Sequence, residues 1–301
     1  RVDGSRGDRT ALTLQAAANR FEADDLDQPA VPTSVQTTES DGWSLLMRVG
    51  GGAGEAGSWS LQTTLAHTDR GDPFLGQVED TLDVDFQHRF PLGQRQEIVW
   101  GAGYRRVRDE YRNTDVSMAP DQFDGELFSG FLQDEITLLP DQLKLTLGTK
   151  YEDHYFTGTA WQPSGRLWWA PDLAHAVWGS VSRAVRTPSR YERGITLPNL
   201  QLANTVRGNP DQRNEELTAY ELGYRLSPAP GLALDVALFY NDYDDVQSSE
   251  LVSPFLRDTQ FDNLRAGQSY GGEVFAQWNP ADDWRMRVGY AYLDIDIAYV
   301  S

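Results

Sequence analysis

The stretch GGGAGEAGSWSLQTTLAH, residues 50–67, decides which kind of fold this chain has. Gly52, Gly54 and Gly57 have the spacing G-x-G-x-x-G, which binds a dinucleotide pyrophosphate only where the glycines open a helix. The residues after them instead alternate with a period of two, since the larger side chains are Trp59, Leu61, Thr63, Leu65 and His67. A period of two indicates a β-strand. The glycines are therefore predicted to form a tight turn between strands near 41–50 and 57–69, and not a nucleotide site.

The composition excludes several classes of function. The chain has 301 residues and a formal charge of −19, from 45 acidic and 26 basic side chains, so it would repel a polyanion such as DNA. It has no cysteine, and its four histidines are scattered, so no metal site is predicted. No apolar run approaches the ~20 residues of a membrane-spanning helix. The sequence shows no arrangement of catalytic residues and no nucleotide-binding loop, so no enzyme, cofactor or nucleic-acid partner is predicted.

Turn-forming segments divide the chain into long alternating stretches. Short turns are predicted at residues 50–57 and near Pro91, Pro140, Pro171, Pro228 and Pro280. Between them lie longer polar connections, at 21–41, 69–78, 110–122, 155–160, 187–216 and 245–265. Short and long connections alternate strictly. They separate about thirteen strands, several of them close to the ~9–11 residues that a tilted membrane strand needs.

Along these strands one face is apolar and the other is polar or small. In residues 143–152, the side chains alternate between Leu143, Leu145, Leu147 and Tyr151 on one face and Lys144, Thr146, Gly148, Lys150 and Glu152 on the other. Residues 232–241 and 284–292 repeat the pattern, although Phe239 interrupts the polar row. Most tryptophans lie near the short turns and many tyrosines lie toward the long connections, as in the two aromatic girdles of a membrane barrel. We therefore predict an all-β, antiparallel, up-and-down transmembrane β-barrel.

Two segments in the second half of the chain resemble a known family. SVSRAVRTPSRYERG (180–194) and RGNPDQRNEELTAYELGYRL (207–226) are similar to the late barrel strands of TonB-dependent outer-membrane receptors. In that family an Arg-x-Pro-Ser run, a long extracellular loop and a Gly-Asn-Pro segment lead into a Tyr-Glu-Leu-Gly-Tyr strand. Gln212 and Asn214 stand where the family pattern has Leu and Pro. The resemblance is specific over residues 175–297 and rests on pattern alone before them.

The resemblance implies more than this sequence contains. Members of the family have an N-terminal plug, which carries a TonB-contacting segment, inside a barrel of about 22 strands. This chain shows no plug sequence and fewer strands, and its last residue is Ser301 where the family has an aromatic residue. Residues 1–301 are therefore expected to be a partial barrel from the bacterial outer membrane, with short periplasmic turns, long extracellular loops, and the plug and C-terminal strands absent.

The function that the resemblance implies is active uptake of a ferric siderophore or a similar scarce nutrient. The implied partners are outer-membrane lipid, the TonB complex through the missing plug, and the small-molecule ligand. The longest loop carries Arg190, Tyr191, Arg193 and Arg207, and guanidinium groups suit carboxylate or catecholate oxygens. These residues are the predicted ligand contacts. The alternative is a solvated loop whose arginines pair with the acidic residues at 211 and 215.

A second set of residues is predicted to face the barrel interior: Lys144, Lys150, Glu152, Glu221, Arg225, Glu273, Arg285 and Arg287. In a receptor they would contact the plug, whereas in a passive porin-like channel they would line water. The sequence leaves both alternatives open. A soluble all-β carbohydrate-active protein is a third, but it needs a pair of catalytic carboxylates. The acidic run NDYDD at 241–245 lacks the glycine of a calcium loop and is interpreted as loop polarity or weak cation binding.

Overall fold

The computed structural model describes residues 2–5, 10–25, 36–52, 57–72, 74–199, 204–253, 255, 258–281 and 283–300. Nearly all of this part of the chain is β-strand, and its one helix has five residues. Within these ranges no helix has the length and apolar character needed to cross a bilayer.

Thirteen strands have 12 to 24 residues, and four are shorter. In chain order the elements are β1 (Val2–Ser5), β2 (Thr10–Asp25), β3 (Gln36–Gly51), β4 (Ser58–Gly71), β5 (Leu75–Leu92), β6 (Gln96–Asn113), β7 (Ser117–Met118), β8 (Gln122–Leu139), β9 (Leu143–His154), β10 (Gly158–Trp169), β11 (His175–Arg186), α1 (Arg190–Gly194), β12 (Ile195–Asn199), β13 (Asn204–Arg207), β14 (Glu215–Ala229), β15 (Leu232–Ser253), β16 (Asp258–Ala281) and β17 (Trp284–Tyr299).

Each long strand is antiparallel to the next long strand in the sequence. The order runs from β2 to β6, continues through β8 to β11, and ends with β14 to β17. The short strand β1 pairs with β2. The predicted antiparallel, up-and-down arrangement of a partial barrel is confirmed, and so is the estimate of about thirteen long strands.

The six predicted short turns all join paired neighbours. The glycine-rich stretch lies between β3 and β4, where Gly51 is opposite Trp59, and β4 begins at Ser58 directly after Gly57. Gly52 and Gly57 have φ values of 107° and 74°, which favour glycine. Residues 53–56 lie outside the described residues. A strand and not a helix follows the G-x-G-x-x-G spacing, so the turn interpretation is confirmed.

Several predicted long connections are wrong, because the strands continue through them. β4 ends at Gly71 and β5 begins at Leu75, and β9 and β10 are joined by residues 155–157 alone. The predicted connection 245–265 is mostly strand, since β15 runs to Ser253 and β16 begins at Asp258. Polar side chains can be solvated on both faces of a sheet beyond the apolar band, so the hydrogen-bonded ladder continues there. Polar composition marks the end of the apolar band, and not the end of the strand.

The strand register shows that the polar side chains of neighbouring strands lie on the same face of the sheet. Thr146 is opposite Arg166, Arg166 is opposite Ser180, and Ser180 is opposite Glu221. Directly opposed residues of antiparallel strands point to the same side of the sheet. Following the register in this way places all eight predicted interior residues on this polar face: Lys144, Lys150, Glu152, Glu221, Arg225, Glu273, Arg285 and Arg287.

The opposite face is apolar and exposed. Leu147 is 48% exposed, Leu238 is 52% exposed and Val288 is 68% exposed, although all three are large hydrophobic residues. Aromatic residues flank this face near the short turns, as Trp59 and Trp284 do, and near the other end, as Trp161 does. A continuous apolar surface of this size is expected to contact lipid.

The phenylalanine that interrupts the polar row has a structural explanation. Phe239 is opposite Gly271, and a Cβ atom on that glycine would lie 2.6 Å from the Phe239 ring. The same relation joins Phe131 to Gly101 and Trp178 to Gly223. Each ring therefore occupies the space beside a glycine on the neighbouring strand, which lets a large apolar side chain fit on the polar face.

The two faces predict opposite responses to the same substitution. Leu147→Arg places a charge on the apolar face near the middle of β9. Because that face is expected to contact lipid, the substitution should destabilise the full-length protein by ~2–4 kcal/mol. Thr146→Arg is the matched control, because the adjacent residue lies on the polar face and should tolerate the charge. Unfolding of the protein from lipid vesicles by denaturant measures both values. Equal costs at the two positions would contradict the assignment of the faces.

Candidate functional site

The described residues of the longest predicted loop, 187–199 and 204–216, contain a helix and two short strands at the end of the sheet opposite the short turns, which we call the mouth. Its helix α1 begins with a capping box, in which Ser189 and Glu192 each accept a hydrogen bond from the other's backbone N–H. β12 then pairs with β7, which belongs to the β6–β8 connection, and β13 pairs in parallel with β16. β7 lies beside β8, and β8 and β16 are several strands apart in the sheet. The segment formed by α1, β12 and β13 therefore crosses the mouth, and we call it the strap.

The strap packs on a small apolar core. Val116, Met118 and Ile195 are the three large hydrophobic residues that are buried in the part of the chain that the structure describes. The approach is close, because a Cβ atom on Gly194 would lie 2.6 Å from the Ala119 carbonyl oxygen. That contact includes a hydrogen bond from the Ala119 N–H to the Gly194 carbonyl oxygen, 2.9 Å long. The mouth therefore has a small buried apolar core, as a globular protein has, whereas many apolar side chains of the long strands are exposed.

The Arg190 side chain is nearly buried in the packed mouth. Its Nε and one Nη donate to the Asp109 carboxylate at 3.0 Å, and the same Nη donates to the Pro120 carbonyl oxygen at 2.7 Å. The guanidinium also lies over the rings of Tyr111 and Phe123, 5.4 and 5.0 Å from their centroids. The side chains of Asp109 and Arg190 are only 1% and 11% exposed. Burial raises the pKa of the Tyr111 hydroxyl to about 12, so this ring stays neutral.

The other predicted ligand contacts are more open. Tyr191 is 44% exposed and its ring centroid is 6.2 Å from that of Phe261. Arg207 is half exposed and lies 3.4 Å from the Asp258 carboxylate. Arg193 is half-buried, with its guanidinium 4.9 Å from the Phe156 ring centroid. The structure thus brings all four residues to the mouth, and their contact with a ligand stays a prediction.

The ion pairs of the loop differ from the predicted alternative. The Glu215 carboxylate binds Arg186 through two hydrogen bonds of 2.7 Å, and these residues are directly opposed on β14 and β11. Arg190 pairs with Asp109 and Arg207 with Asp258 instead of with Asp211 or Glu215. The solvated-loop interpretation is wrong for Arg190 and Arg207, whose partners come from distant strands. For Arg193, burial lowers the pKa and the Asp211 carboxylate opposes that shift.

The residues that hold the strap in place were not predicted from the sequence. Asp109 lies in the strand residues RDEY and was indistinguishable from other polar positions of its row. His154, Tyr155 and Phe156 form the tip of the β9–β10 hairpin, where their rings pack on each other and on Phe123. Three consecutive aromatic side chains in a polar turn are a usable signal for buried packing. Among the described residues, no group of three or more His, Cys, Asp or Glu side chains is arranged to hold a metal ion.

Arg190 is predicted to support the mouth structurally. Arg190→Ala leaves the Asp109 charge buried without its partner, which should destabilise the packed mouth by about 3–5 kcal/mol. Arg213→Ala is the control, because both members of its pair with Asp245 are more exposed, at 60% and 32%, and such a pair contributes only about 0–1 kcal/mol. Limited proteolysis of the full-length protein across residues 187–216, with increasing denaturant, compares the two. Equal protection of the strap in both variants would show that the Arg190 pair does not hold it.

Comparisons with known proteins agree with this architecture. A family model described as TonB dependent receptor-like, beta-barrel, matches residues 2–300. The iron-regulated outer membrane virulence protein of Vibrio cholerae is 30% identical over 118 residues, which are 39% of this chain and 18% of that protein.

Two solved structures show the same fold. The siderophore receptor PirA from Acinetobacter baumannii superposes with a TM-score of 0.76 at 15% identity, over 97% of this chain and 51% of that chain. A mutant of the ferric enterobactin receptor PfeA from Pseudomonas aeruginosa gives 0.77 at 18% identity, over 97% of this chain and 50% of that chain. This chain thus spans about half the length of these structures. The family consists of receptors of the bacterial outer membrane, and not of enzymes. Because the family model covers nearly all of its residues, the chain belongs to the TonB-dependent receptor β-barrel family.

Proposed function

We propose that the full-length protein takes up an anionic iron chelate, such as a ferric siderophore, and that TonB drives this uptake. The names of the similar proteins support the ligand class, since they are an iron-regulated protein, a siderophore receptor and a ferric enterobactin receptor. Coupling to TonB is supported by the family to which the chain belongs.

The observation that carries the proposal is the chemistry of the mouth. Arg190, Tyr191, Arg193 and Arg207 converge there in a chain whose net charge is −19. Several guanidinium groups beside the exposed Tyr191 ring suit a negatively charged chelate with planar ligand groups. Arg207 and Tyr191 are the most accessible of the four, whereas Arg190 acts mainly by shaping the strap.

The eight charged residues of the polar face complete the proposal. In a receptor they bind the plug, which the family carries inside the barrel. Several already have partners along the wall: Lys144 lies 2.7 Å from Glu135, and Lys150 lies 2.8 Å from Glu152. The alternative of a passive channel is less favoured, because a packed strap across the mouth narrows the entrance that free diffusion needs.

Uptake by cells separates the two functions. The complete gene should restore growth and radiolabelled iron uptake to a strain without its own receptors, on at least one ferric siderophore, and removal of TonB should reduce this uptake to background. A passive channel would give the same uptake with and without TonB, because diffusion does not use the inner-membrane energy source. Uptake that persists without TonB, or no uptake of any tested chelate, would contradict the proposal.

A further inference from the structure

Both arginines of α1 lie over aromatic rings at the tip of the β9–β10 hairpin and on β8 beside it. Arg190 is 5.0 Å from the Phe123 ring centroid, and Arg193 is 4.9 Å from that of Phe156. The Phe123 ring centroid is in turn 5.0 Å from those of the two rings beyond it. We call four neighbouring rings the hairpin cluster: Phe123, His154, Tyr155 and Phe156. The position of the strap therefore depends on the hairpin cluster.

His154 fixes the shape of this cluster through a hydrogen bond within the hairpin. Its imidazole Nδ1 accepts a hydrogen bond from the Phe156 backbone N–H at 3.2 Å. A ring nitrogen that accepts carries no proton, so this contact needs the neutral imidazole with its proton on Nε2. The His154 ring centroid also lies 4.0 Å from that of Tyr155, and the histidine is only 8% exposed. A second proton on the imidazole would therefore remove the hydrogen bond and place a charge where little water reaches it.

The surroundings of His154 also favour the neutral ring. Two charged groups act on it, Glu152 from its own strand and Arg193 from α1, and its partner on β10 is Gly158, which has no side chain. Burial, the largest effect, and the Arg193 charge lower the pKa of the imidazole, whereas the Glu152 charge opposes them. Glu152 is itself paired with Lys150, whose Nζ lies 2.8 Å from its carboxylate. The imidazole is therefore neutral near pH 7.

The hairpin cluster has little room to rearrange toward the sheet. A Cβ atom on Gly125 of β8 would lie 2.4 Å from the Phe123 ring and 2.8 Å from the Tyr155 ring, so both rings already contact the sheet closely. Burial raises the pKa of the Tyr155 hydroxyl, so this ring stays neutral and adds no charge to the cluster. If Phe156 loses its hydrogen bond to the histidine, its ring is therefore expected to move on the opposite side, where it contacts Arg193.

We propose that His154 makes the strap sensitive to pH: a proton on its imidazole separates Phe156 from Arg193, and the strap then opens more often over the mouth. This device goes beyond the proposed uptake and does not depend on which compound is taken up. The neutral ring stabilises the strap fully above the ordinary histidine pKa of about 6.5. Because the folded mouth lowers the pKa of His154, this stabilisation is lost as the pH falls below that value. The strap is therefore held most firmly at neutral pH and less firmly in mild acid.

Hydrogen exchange of the complete protein at about pH 7.5 and about pH 5.5, followed by mass spectrometry, tests this coupling. After correction for the intrinsic effect of pH on exchange, wild-type protection of residues 190–199 should fall at least about threefold in acid. The ceiling is about tenfold, because about pH 5.5 is one unit below the ordinary histidine pKa. In His154→Asn the amide oxygen can still accept from the Phe156 N–H, as in an Asx turn, but does not titrate, so protection should not change with pH. His175→Asn is the control, because that histidine contacts Tyr224 near a short turn, and it should keep the wild-type pH dependence.

Three results would overturn this inference and leave the proposed uptake intact. The first is equal protection of the wild-type strap at both pH values. The second is a loss in His154→Asn as large as that in the wild type, and the third is a pH dependence that His175→Asn abolishes. Heat-modifiable gel mobility checks that each variant assembles. If His154→Asn does not assemble, His154→Gln replaces it, because its amide oxygen can also accept a hydrogen bond and does not titrate, and a loss equal to that of the wild type contradicts the inference in the same way.

Discussion

The fold depends on the alternation of apolar and polar side chains along the long strands, which only a few aromatic residues on the polar face interrupt in the described part of the chain. Because the period is two, a register slip of one residue would turn every lipid-facing side chain toward the polar face. The register from Thr146 through Arg166 and Ser180 to Glu221 shows how each strand fixes the orientation of the next. Backbone groups facing lipid must all be paired within the sheet, so long and nearly regular ladders are required. The long strands of the sheet therefore need few buried apolar side chains.

At the mouth, alternation of side chains is no longer the main constraint on the structure. Both faces of the strands meet water or protein there, and stability comes from packing as in a globular domain. Val116, Met118 and Ile195 supply the apolar core, and the desolvated pair of Arg190 and Asp109 joins the strap to β6. Such a pair contributes less net stability than its geometry suggests, but losing one partner is costly. Its effect is to fix one arrangement of the strap.

Alternation was sufficient to predict the faces, the short turns and the eight residues of the polar face, because all of these follow from local pattern. The strap was not predictable in this way. Asp109 and Arg190 are 81 residues apart, and nothing near either residue indicates the other. Phe239 seemed an exception to the alternation only because Gly271, which accommodates its ring, lies on another strand. The extent of β15 and β16 also escaped prediction, since polar strands beyond lipid have the composition of loops.

Arg190 and Arg193 lie three residues apart on a five-residue helix and yet have different environments. The capping box fixes how α1 enters the mouth, so that Arg190 reaches Asp109 while Arg193 reaches Gln212 and Phe156. A count of basic residues in the loop does not distinguish Arg190 from Arg193. Their partners separate them, because the Arg190 guanidinium is paired with the Asp109 carboxylate, whereas that of Arg193 donates to the Gln212 backbone carbonyl oxygen and lies over the Phe156 ring.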